Sequence, residues 1–211
     1  MPRGIAIPEV RQQLFAATER VIVRDGTARL TTRAITREAG VATGLLYAHF
    51  PDLDDFLAAY AVDRAFLLCA QAAHLPGRAG TGTVAGNLTD ALTATPPDAL
   101  LAQVQLLSAR PGLAGRVRAV LGDTAAGLDA VEQAISHYLT QEQRIGRLPA
   151  TAVPAALALA LVGTLHHLAL GAESKPVQRS RIAELTNALI NGDAAGFPDP
   201  HTTTTENAEP R

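Results

Sequence analysis

Tryptophan is absent from this 211-residue chain, and cysteine and methionine occur once each. Cys69 alone excludes an internal disulfide and any multi-cysteine metal knot, and it fits a reducing compartment. Aromatic side chains are only 4% of residues and charged ones 18%, against 47% hydrophobic. A core of this composition must be aliphatic and alanine-rich, and a collagen-like, coiled or wholly disordered chain is excluded. Long apolar runs are missing too. The most apolar, Ala152 to Leu165, is broken by Pro154 and falls short of the roughly 20 residues a membrane crossing needs. Met1 to Glu9 has no signal-type apolar stretch. A soluble, cytoplasmic protein without membrane contact is expected, with one or two domains.

Catalytic signatures are also lacking. There is no G-x-S-x-G elbow, no H-E-x-x-H pair and no Walker-type phosphate loop. Gly80 to Gly86 superficially resembles a glycine-rich dinucleotide turn, but no strand precedes it to give a pyrophosphate a sheet edge. Histidines stand at 74, 137, 166 and 167, with Cys69 and Tyr138 in the same part of the chain. His166 and His167 project about 100° apart on a helix, so they cannot grip one metal as an i, i+4 pair would. These histidines are expected in the core or at a subunit interface. The reading is of a non-enzyme with no cofactor and no metal.

What is present is charge asymmetry and helical periodicity. Net charge is −2, yet residues 1 to 50 hold seven arginines and four acids, +3, while residues 51 to 211 hold eleven bases and sixteen acids, −5. A basic head on an acidic body suits contact with something anionic, although three charges in 50 residues also fit a merely solvated surface. No stretch alternates like a strand, whereas 3.6-residue periodicity recurs almost throughout, so the fold class is all-α, with about nine helices.

The first helix begins near Pro8, carries Leu14, Ala17, Val21 and Ile22 on one stripe, and stops at Gly26. Short helices follow over Thr32 to Ala39 and Thr43 to His49, closed by Gly40 and Pro51. A longer one runs from Leu53 towards His74, with Asp54 and Asp55 at its positive dipole end. Further helices are expected from Val84 to before Pro96, from Asp98 to Arg110, over 152 to 171 and over 178 to 191. Residues 111 to 146 read as one kinked helix or two, interrupted at Gly122 and Gly127. The expected organisation is a head over 1–52, a helical body over 53–192 and a disordered tail over 193–211.

The head carries the chemistry. Two short helices joined at Gly40-Val41-Ala42 meet the needs of a helix-turn-helix: Gly40 permits a left-handed corner and Val41 plugs the angle. Ile35, Ala39, Val41 and Leu46 would face inward. Thr43, Gly44, Leu45, Tyr47 and Ala48 would face outward, and Thr43-Gly44 is slim enough to enter a major groove.

In residue type and spacing, Leu30-Thr31-Thr32-Arg33, Ala39-Gly40-Val41 and Leu46-Tyr47-x-His49-Phe50 resemble the DNA-binding signature of the TetR family of transcriptional regulators. The resemblance covers about residues 8 to 57. It implies a homodimer whose two heads bind a palindromic double-stranded DNA operator, acting as a repressor released by an apolar small-molecule inducer held in the body. It assigns Thr32 and Arg33 to phosphate contacts, Arg33 with reach to a base. Thr43, Gly44 and Leu45 fall to base edges, and Tyr47 and His49 to the sugar-phosphate backbone. Hydroxyl, imidazole and guanidinium donors suit phosphate oxygens. Arg3 and Arg11 could add phosphate contacts from an N-terminal arm or stay solvated.

Three positions depart from the family pattern. Ala42 replaces a capping Ser, which would leave Thr43 to cap the helix one residue later. Leu45 can touch a thymine methyl but read no hydrogen-bond pattern. Leu53 replaces a Lys and removes one phosphate contact. A helical small-molecule-binding or interaction protein without DNA binding is the alternative. There Tyr47 would be a packing residue, as Phe50 is expected to be.

In the body, Leu67, Leu68, Leu88, Leu92, Leu100 and Val104 are read as core, around which an all-α body could enclose an apolar cavity. The sequence names no residue for a ligand. The helix over 152–171 is apolar nearly all round, so it must be central or shared with a second copy.

Overall fold

The computed structural model describes residues 7–122, 127–171 and 175–192, and among them there are ten α-helices and no strand. They are α1 (Ile7–Asp25), α2 (Thr32–Ala39), α3 (Thr43–His49), α4 (Leu53–Ala72), α5 (Val84–Leu92), α6 (Pro97–Ala109), α7 (Pro111–Leu121), α8 (Leu128–Arg144), α9 (Pro154–Leu170) and α10 (Lys175–Asn191). Residues 111–146 are therefore two helices, and Gly122 and Gly127, both at positive φ, stand at the facing ends of the pair. Arg3 and the expected tail over 193–211 lie outside the described residues.

Short polar side chains set the helix starts. The Thr31 hydroxyl accepts from the Ala34 N–H at 3.1 Å, the Asp52 carboxylate from Asp55 at 2.8 Å and the Thr83 hydroxyl from Gly86 at 3.0 Å. Each satisfies a backbone donor that the first turn would leave unpaired.

Two cores result. The first gathers Leu14, Phe15, Val21, Ile22, Ile35 and Leu46 around Phe56, Leu57 and Tyr60 of α4 and Ala102 and Leu106 of α6. The second gathers Leu68, Leu88, Leu92, Leu100, Ile135, Tyr138, Leu139, Leu161, Leu165 and Ile182. Both α4 and α6 pass from one core into the other, so head and body share two rigid members. Ion pairs reinforce this: Arg110 bonds Asp54, and Arg116 meets Asp55 at 2.8 Å.

Around these members α7 packs on α4, α8 on α9, and α10 on α5 and α9. The segment Leu53–Arg78 is long and apolar enough to cross a membrane by length and composition. Within the fold those apolar residues furnish both cores.

Two expectations for the body change. Leu67 is 43% exposed, because it faces away from the core side of α4 on which Leu68 lies. The four histidines are exposed in the single chain, so the core reading of them fails. Among the described residues no three metal-ligating side chains cluster.

The glycine run has a structural role. The Gly80 N–H donates to the buried Glu142 carboxylate at 3.2 Å, and Arg147 pairs with that carboxylate at 3.3 Å and donates to the Gly82 carbonyl at 2.5 Å. The Asn87 amide donates to the Thr81 carbonyl at 2.8 Å and to the Tyr138 hydroxyl at 2.9 Å. The loop is thereby tied to α8.

Candidate nucleic-acid interface

The corner between α2 and α3 is built from backbone. Gly40 has φ +69°, its N–H donates to the Arg37 carbonyl at 3.2 Å, and the Val41 N–H donates to the Thr36 carbonyl at 3.0 Å. Val41 is half-buried against the head core, with Ile35, Ala39 and Leu46 buried beneath it. On the far side, Arg20 and Arg24 both reach Glu38 at 2.7 Å, and the Gln13 amide donates to the Ala39 carbonyl at 2.7 Å. Arg24 and Arg20 hold the Glu38 carboxyl below its ordinary range. These contacts fix α2 on α1 and hence the direction of α3.

The opposite side of the corner stands open. Arg33, Thr43, Gly44, Tyr47 and His49 are all exposed, Tyr47 at 54%. Thr32 is half-buried, and its hydroxyl lies 3.3 Å from that of Tyr47. Leu45 is half-buried and packs against the head core, so its methyls are only partly available to a base. Phe50 is half-buried with its ring 5.1 Å from that of Phe56, in the packing role expected of it. Arg11 lies over the Phe15 ring at 5.1 Å.

Thr43 does not take over the missing cap. Ala42 is the cap position without a side-chain bond, and the Thr43 hydroxyl lies 3.2 Å from that of Thr36. The Thr36 hydroxyl donates to the Thr32 carbonyl at 2.9 Å, so Thr43 is the donor between the two and keeps its lone pairs for the outside. An outward acceptor at the tip of α3 matches an adenine or cytosine amino group.

One basic residue was not singled out from the sequence. Arg37 sits one turn after Arg33 on α2 and is exposed. The i, i+4 spacing of two arginines on one helix is the signal that marks it.

Comparison with known proteins agrees with this geometry. The family model described as bacterial regulatory proteins, tetR family, matches residues 14–60. An uncharacterised helix-turn-helix transcriptional regulator of Haemophilus influenzae is 34% identical over 53 residues, which is 25% of this chain and 28% of that relative's length. A protein described as a TetR-family transcriptional regulator from Rhodococcus sp. has the same fold, with TM-score 0.64 and 21% identity over 86% of this chain and 98% of that one. The fatty acid degradation regulator FadR of Bacillus halodurans aligns at TM-score 0.62 and 14% identity, covering 87% of this chain and 96% of that one. Residues 14–60 thus carry the amino-terminal sequence pattern of the tetR family of bacterial regulatory proteins, and the chain shares its all-helical fold with solved proteins described as TetR-family regulators.

Proposed function

We propose that the chain is a homodimeric transcriptional repressor whose two heads bind a palindromic operator, and that an apolar small molecule entering the body releases it. The observation carrying this reading is the exposed surface made by Arg33, Thr43, Gly44, Tyr47 and His49, which stands clear of the head core while Leu46 anchors α3 from behind. Donors and acceptors at a slim helix end suit a major groove flanked by phosphates. In a two-fold dimer the half-site centres lie about one helical turn, roughly 34 Å, apart or slightly more. Release requires a ligand that favours one head separation over another, since equal binding to both shifts nothing. Helix α4, common to both cores, is the lever.

Electrophoretic mobility shifts on the DNA upstream of the chain's own gene test the reading. A sequence-selective complex weakening steeply with salt is expected. Replacing Arg33 and Tyr47 together by Ala lowers affinity by about tenfold or more, with fold and oligomeric state intact. A second reading, a helical small-molecule-binding protein without DNA binding, draws on the hydroxyls of Thr43 and Tyr47, which find partners inside the head. It predicts no selective complex at any protein concentration, and so nothing for the double variant to lose.

A further inference from the structure

Two cavities meet at Leu68 and Gln103. The body cavity, about 230 Å³, has Ala65, Leu68, Leu100, Val104 and Val117 in its inner wall. The second, about 210 Å³, lies where head joins body, with Glu19 of α1 facing Arg64 of α4 and Ala99 of α6. Leu68 and Gln103 border both. Gln103 is 5% exposed, and its side chain takes part in no hydrogen bond among the described residues. An amide offers two donors and a carbonyl acceptor, and a native interior keeps such a group where something supplies its partner.

The other polar groups are ion-paired, hydrogen-bonded or outside. Arg64 Nε lies 2.5 Å from Glu19 Oε1, and the Thr95 hydroxyl donates to the Gln71 amide oxygen at 2.5 Å. Ser108, Arg118, Asp129 and His166 border the body cavity but are exposed, which puts them at its mouth. Among the described residues the inner wall thus combines aliphatic surface with one unpartnered neutral amide and no free charge. A charged ligand end buried there would lack a counterion, whereas one neutral polar group would complete the amide.

We propose that Gln103 is the polar reading group of a ligand site in the body cavity, and that its ligand is uncharged, largely apolar and carries one hydrogen-bonding group at its buried end. This deepens the ligand-responsive reading above and rests on it only for the consequence at DNA. Indole and indene test it on the full chain, because they share a ring frame and differ in one N–H. The readout is the side-chain amide resonance of Gln103, identified by its loss in Gln103→Leu.

Indole should bind saturably and shift that resonance, with indene binding about tenfold more weakly because the site's amide is left unpaired. Gln103→Leu should erase the preference while both compounds still bind. Gln103→Met serves the same purpose if the Leu variant fails to fold. Absence of saturable binding, equal binding of both compounds to the unaltered chain, or an indole preference that survives in the variant each overturns the proposal. Discrimination by Gln103 without any selective DNA complex would sink the regulator reading alone. A DNA complex without discrimination would sink this assignment alone.

Discussion

Glu38 and Glu19 titrate in opposite senses, and the difference lies in what surrounds each carboxylate. Arg24 and Arg20 hold Glu38 below the ordinary value of 4.5. Its contribution to stability is complete above that value and is lost as pH falls through the lowered one. Burial lifts Glu19 above 4.5 and outweighs the opposing pull of Arg64. The stability linked to Glu19 is present below 4.5 and is lost as pH rises through the raised value. Urea midpoints measured across the acidic to neutral range should therefore separate the two sites. Glu38→Gln flattens the loss on the acid side, and Glu19→Gln flattens the loss on the side towards neutrality. An identical response from both variants would contradict these surroundings. Gly40 belongs to the same scale. Its φ of +69° was legible from the sequence as a corner, because little besides glycine adopts that conformation without cost.

At the level of elements, local chemistry carried the reading a long way. The bounds of α2 and α3 follow from Thr31, Gly40 and Pro51, and the stripe Leu14, Ala17, Val21 and Ile22 of α1 is buried as its spacing requires. What the spacing could not show is that Phe56, Leu57 and Tyr60 of α4 complete the head core. A helix face announces that it must be covered but not by which partner. Phe56 is fully buried, with its ring 5.6 Å from Phe15 and 5.1 Å from Phe50. Phe56→Ala should destabilise the protein by about 3–5 kcal/mol. It should also weaken DNA binding, although the substituted residue lies outside the helix-turn-helix. Equilibrium unfolding with a parallel mobility shift checks both parts. Unchanged stability would show that α4 is not the floor of the head.

For the whole molecule, one apolar surface left uncovered is on α9. That helix buries Ala158, Leu161, Val162, Leu165 and Leu168 against the body, yet Ala156, Leu159, Ala160, Gly163 and Leu170 remain exposed, Leu159 at 61%. A Cβ built on Gly163 would meet nothing within 4 Å. Small residues beside exposed leucines allow a second helix to approach closely, and a two-fold axis through this face would bring two such helices together. Leu159→Glu should convert a dimer to monomer in sedimentation analysis and reduce operator affinity by at least about tenfold, since paired half-sites act through effective concentration. A dimer that persists unchanged would move the subunit interface elsewhere.

Sequence alone determined the helical class, most helix boundaries and the helix-turn-helix corner, because caps, breakers and 3.6-residue spacing act over a few residues. It also singled out Thr43, Gly44, Tyr47 and His49, which the corner leaves facing outward. The tertiary structure decided which hydroxyl binds which, as with Thr43 on Thr36, and that Leu45 turns partly inward. It alone showed α4 and α6 as common to two cores and Gln103, between two cavities, without a partner among the described residues. Those outcomes depend on side chains far apart in the chain meeting in space, and periodicity carries no record of such partners.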